Sequence, residues 1–214
     1  MFLIEVYVPR GVFAAPEQES IARRLLDAIM VEDGSHAIEV LDSMRNLMQV
    51  LVHEPSTWVV ADRGHADPAN PPRYLVRITL PGAWRKDSAA SLIETVTTVL
   101  ADVERAAGRD AERLTRDPHA WVHVVGLSEH SFGAYGQALG SMEVIDMMTR
   151  PHRETIERLA EESDDLIDPV CGMVGDSDEF PLVHAGTTYG FCSATCRRIY
   201  ADDHGVTHPI ASSS

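Results

Sequence analysis

The chain has 214 residues, and 44% are hydrophobic, enough to bury a sizeable core and too many for a mostly disordered protein. Its formal net charge of −15 repels phosphate backbones and anionic lipid, so neither nucleic acid nor a membrane is an expected partner. No apolar run approaches the roughly 20 residues that span a bilayer, and the start, Met1-Phe2-Leu3-Ile4-Glu5-Val6, lacks a basic segment and reads as a strand, so the cytoplasm is the expected compartment.

The first strand has a second copy. Residues 2–9 read Phe-Leu-Ile-Glu-Val-Tyr-Val-Pro and residues 74–81 read Tyr-Leu-Val-Arg-Ile-Thr-Leu-Pro, aligned without a gap. Both alternate as strands do. A helix is predicted after each. In the first copy Pro16 suits an early helical position, and Ile21, Leu25, Ala28 and Ile29 form an apolar stripe. In the second copy Asp87 or Ser88 is the expected N-cap, and Leu92, Val96, Val99 and Leu100 repeat the stripe. Closing strands are predicted over 47–52 and 120–125. The layout is βαβ twice, with Pro68-Ala69-Asn70-Pro71-Pro72 as the linker. Right-handed crossovers would place both helices on one face of a single sheet.

This tandem arrangement over residues 1–140, with the turn His53-Glu54-Pro55-Ser56-Thr57-Trp58, resembles the tautomerase superfamily. The resemblance implies a pseudo-symmetric chain and a homotrimer. It also implies catalysis by an amino-terminal proline amine, from which this sequence departs. Met1 is followed by the large Phe2, and Pro72 has an amide nitrogen, so proline catalysis is not expected. Arg10, Arg73 and Arg77 are candidates for an anion-binding pocket or are simply solvated cations. Arg73, Arg77, His53, Glu54, His123 and His130 are the polar candidates for a site at a trimer interface. No catalytic residue is assigned.

Residues 141–165 read as a helical connector, broken near Pro151 and ended by the acidic run Glu161-Glu162-Ser163-Asp164-Asp165. Met142, Met147 and Met148 fit core filling better than metal binding.

A third domain is expected over 166–210. It contains all three cysteines, and in a reducing compartment spaced cysteines point to metal or redox chemistry. Asp168-Pro169-Val170-Cys171-Gly172-Met173 precedes Tyr189-Gly190-Phe191-Cys192-Ser193-Ala194-Thr195-Cys196. Cys192 and Cys196 share a helix face if a helix begins there, where its dipole favours a thiolate. Residues 180–191 read as a hairpin turning at Ala185-Gly186. About 40 residues bury too little surface alone, so a metal or docking must help.

Both motifs, in this order, resemble the YHS/TRASH metal-binding family, which implies a treble-clef-like hairpin-plus-helix module. Cys171, Cys192 and Cys196 supply three thiolates. His184 is the first candidate for a fourth ligand, with His204, His208, Asp168 and Asp176 as further options. Zinc suits three thiolates plus a nitrogen or oxygen; copper(I) or iron are alternatives. The expected fold is α+β. The expected function is metal handling or sensing on a tautomerase-like oligomeric scaffold. The alternative is an isomerase or other enzyme acting at the trimer interface, with a structural metal.

Overall fold

In chain order the elements are β1 (Phe2–Tyr7), α1 (Ala15–Ile29), α2 (Ile38–Asn46), β2 (Met48–His53), β3 (Val59–Val60), β4 (Gly64–His65), β5 (Tyr74–Pro81), α3 (Gly82–Ala106), α4 (Arg113–Arg116), β6 (Ala120–Leu127), β7 (Phe132–Ala134), β8 (Gln137–Leu139), α5 (Ser141–Thr149), a 3-10 turn (Arg150–His152), α6 (Arg153–Glu162), β9 (Asp176–His184), β10 (Thr187–Phe191) and α7 (Ala194–His204). The computed structural model describes residues 2–31, 38–60, 64–65, 73–162 and 166–207. The expected linker at 68–72, residues 163–165 of the acidic run, and His208 lie outside the described residues.

The contacts divide the chain into two compact units, Met1–Val31 with Leu47–Ser128 and Glu32–Asn46 with Glu129–Ser214. This grouping differs from a linear division at 140 and 165. Part of the difference is α2, which the sequence pattern did not reveal, and residues 129–140 also fall in the second unit. Val40 of α2 is buried against Ile156 of α6, with Met44 packed beside them. Ser43 Oγ and His152 Nε2 are 2.7 Å apart. The helices of the expected connector thus belong to the second unit's own core.

In the first unit the two βαβ copies form one sheet in the order β2-β1-β5-β6. β1 and β2 are parallel, as are β5 and β6, while β1 and β5 meet antiparallel with Glu5 opposite Arg77. Alternation puts Ile4, Val6, Tyr74, Val76, Ile78 and Leu80 under the helices, each at most 1% exposed. α1 and α3 pack on each other, α1 against β2 and α3 against β5 and β6. They bury Ile21, Leu25, Leu92, Val96 and Leu100, so both predicted stripes face the sheet. The other face stays open and carries Leu3, Leu51, Leu75 and Trp121 beside Glu5, Arg77 and His123.

One helix start differs from the sequence expectation. α3 begins at Gly82, directly after β5, and not at an N-cap on Asp87 or Ser88. Inside the helix Ser88 Oγ donates to the Trp84 carbonyl oxygen at 2.7 Å, which occupies the hydroxyl that would have capped. In the second unit the break near Pro151 is the 3-10 turn between α5 and α6. The short hairpin β7–β8 was not foreseen.

Candidate metal centre

The three cysteines come from three local devices. The first is a knuckle closed by a bridge between Ile167 and Val174. Asp168 N donates to Met173 O at 2.7 Å, and Gly172 N donates back to Asp168 O at 2.9 Å. Gly172 has φ +75°, a conformation that side chains disfavour, so the glycine after Cys171 is what lets the chain reverse. The second is the end of β10, where Cys192 follows Phe191. The hairpin β9–β10 turns where expected, with positive φ at Ala185 and Gly186. The third is the first turn of α7. Ser193 is its N-cap, accepting from Cys196 N at 3.2 Å, and Gly205 closes its C-terminus at φ +64°. Cys192 therefore stands one residue before the cap, not inside the helix.

Together these devices bring Asp168, Cys171, Cys192 and Cys196 into one group, with ligand atoms all within 4.8 Å of one another. Cys171 Sγ lies 3.4 Å from Cys192 Sγ, which lies 3.7 Å from Cys196 Sγ. Thiolates on a tetrahedral zinc, at about 2.3 Å from the ion, stand about 3.8 Å apart. Asp168 is wholly buried, Cys196 is 2% exposed and Cys171 7%. Asp168 accepts from Val170 N at 2.8 Å through one oxygen and from Cys192 N at 2.9 Å through the other. Each oxygen keeps a second lone pair.

The electrostatics are those of a crowd of acids. The Cys192 thiol is pushed down to about 3, first by its hydrogen bonds with Cys171 and Cys196. Cys171 is pushed up, first by that same bond to Cys192. Asp168 is raised to about 7, first by burial and then by the neighbouring Cys192 charge. Without a cation the group sustains one thiolate, shared by two thiols. A bound cation reverses that balance and favours deprotonation of all three sulfurs.

His184 is not in this group. Its Nδ1 lies 3.1 Å from Tyr200 Oη, and its ring meets Tyr200 and His204 at centroid distances of 5.8 and 5.2 Å. These rings, with Phe191 and Tyr189 against Tyr200, pack α7 onto the hairpin. Asp168 stands beside the three sulfurs in place of His184, its carboxylate held over Cys192 by the Val170 and Cys192 amides. The polar candidates of the first unit scatter. Arg73 and His123 line one pocket. Arg77 sits between Glu5 and His123 on the open face. His53 stacks on Tyr7 with Nε2 3.4 Å from Glu5. Glu54 accepts from Gly11 N at 2.9 Å. Arg10 is exposed in a turn. His130 lies in the second unit at φ +61°.

No protein-family model matches the sequence, and no curated protein matches it. Solved structures with a similar course of the chain include Pt0534 inactivated by 2-oxo-3-pentynoate, at 13% identity and TM-score 0.46, covering 66% of this chain and 98% of that one. A fused 4-OT, described as an asymmetric trimer, matches at 18% identity and TM-score 0.44, covering 64% and 94%. A macrophage migration inhibitory factor-like protein from Entamoeba histolytica matches at 11% identity and TM-score 0.43, covering 64% and 97%. No helix among the described residues is long and apolar enough to cross a membrane.

Proposed function

We propose that this is a metal-binding protein whose site is formed by the Cys171, Cys192 and Cys196 thiolates with Asp168 as the oxygen ligand. The observation that carries this is the buried convergence of three sulfurs and one carboxylate at spacings that suit a four-coordinate ion. Buried acids packed this closely repel one another when ionised, and a cation relieves that repulsion. Zinc is the metal this donor set fits best. Copper(I) would be held by the three sulfurs alone, with Asp168 left to orient Cys192. Iron also binds thiolates. The module then works as a treble-clef-like unit of the YHS/TRASH type, residues 166–210, in metal handling or sensing.

The first unit is the scaffold in this proposal. Its open face carries Leu51, 42% exposed, and Trp121, 60% exposed, which supports self-association, with a tautomerase-like homotrimer as the expected form. The test is elemental mass spectrometry of the purified full chain. About one zinc or copper ion per chain is expected, lost in Cys171→Ser. Asp168→Asn should weaken zinc about tenfold or more, and the elemental signal itself distinguishes zinc from copper. A chain that stays folded and takes up none of zinc, copper or iron would sink the proposal.

A further inference from the structure

His184, outside the thiolate centre, does not stand alone. In the second unit its ring faces that of His204, the last residue of α7, with centroids 5.2 Å apart. Two imidazoles bound through nitrogen to one tetrahedral ion, each at about 2.0 Å, put their centroids roughly 5 Å apart. His184 is half-buried at the end of β9 and His204 is exposed, so an ion can reach the pair from solvent. Cys196, Tyr200 and His204 recur every four residues along α7. At a rise of 1.5 Å per residue, His204 lies about 12 Å along the helix from Cys196, too far for one ion to serve both groups.

Tyr200 contacts both rings and fixes the first. Its Oη lies 3.1 Å from His184 Nδ1. The phenol stays neutral, pushed up first by burial and then by its hydrogen bond with Tyr189. With the phenol proton on the Tyr189 side, Nδ1–H donates to Tyr200 Oη and His184 Nε2 carries the lone pair. Metal-binding histidines are oriented in this way, through the hydrogen bond of the other ring nitrogen. The surroundings favour a cation. His204 ends α7, where the helix dipole is negative. Asp202 is exposed two residues before it, and Glu157 acts on Tyr200 from α6.

We infer that His184 and His204 form a second, solvent-facing site for a divalent transition-metal cation, with water completing its coordination. The site stands or falls independently of the thiolate centre. Equilibrium dialysis of the full chain against zinc, with zinc counted per chain before and after gel filtration, tests it. The dialysed wild type should hold about one zinc that gel filtration removes, whatever the thiolate centre retains. Tyr200→Phe keeps the ring packing and should weaken this exchangeable zinc about tenfold, the cost of losing an orienting partner. His204→Ala removes a ligand and should weaken it further. Neither variant should change the zinc that survives gel filtration. Exchangeable zinc held as tightly by either variant as by the wild type, or none in the folded wild type, would overturn the inference. A chain that keeps no zinc through gel filtration, yet loses its exchangeable zinc in His204→Ala, would overturn the thiolate site and leave this one standing.

Discussion

Glu104 is wholly buried, one helical turn after the apolar Leu100. Burial alone would raise its carboxyl, but hydrogen bonds from Arg109, Tyr74 and Arg113 outweigh it and hold the group below its ordinary value of 4.5. The stabilisation this gives is complete above that value and disappears as pH falls through the lower folded value. Glu104→Gln leaves buried Arg113 without its counter-charge, and removing one partner of a buried pair costs about 3–5 kcal/mol. The expected result in urea unfolding at pH 7 is a large loss of stability, together with a flatter acid limb below pH 4.5 than the wild type shows. An acid limb unchanged by the substitution would show that Glu104 is not the titrating group. The sequence carried a hint of this network, since Glu104 continues the i, i+4 stripe of Val96 and Leu100 where an exposed acid has no reason to fall. Nothing linear marked Arg113 as its partner. At the candidate metal centre the grouping of the three cysteines was legible from spacing, whereas the presence of Asp168 among them in place of His184 was not. That placement depends on the Val170 and Cys192 amides holding the carboxylate and on Tyr200 engaging the histidine.

Strands and helices obeyed their periods more closely than their boundaries. β5 spans Tyr74–Pro81 as read from the repeat, and the closing strands lie within two residues of expectation. α3 starts at Gly82, ahead of the expected cap, and Ser88 sits inside it with its hydroxyl bonded to the Trp84 carbonyl oxygen. Alternation leaves Leu51 on the open face, so Leu51→Glu changes a contact surface and no core packing. In sedimentation velocity the wild type should run as an oligomer and the variant as a monomer. A monomeric wild type would remove the scaffold role from the proposal.

Across the whole molecule, the division into units would confine the effect of the proposed metal to the second unit. All three tryptophans, Trp58, Trp84 and Trp121, lie in the first unit, while Tyr189 and Tyr200 pack α7 onto the hairpin of the second. Chelation should alter the tyrosine band of the near-ultraviolet circular dichroism and leave tryptophan emission unchanged. Tryptophan emission that shifts at the same chelator concentration would mean that the first unit also depends on the metal.

The amino-acid sequence determined the elements whose signal is local: two alternating strand copies, two apolar helix stripes, the break at Pro151 and three cysteines in two motifs. Each of these is specified by residues a few positions apart, which periodicity and spacing can express. The tertiary structure decided what depends on distant residues meeting. It placed α2 beside α6, put Asp168 among the three sulfurs, buried Glu104 between two arginines, and brought His184 and His204 together on Tyr200. Burial and hydrogen-bond competition among segments far apart in the chain fix those outcomes, and no local pattern encodes them.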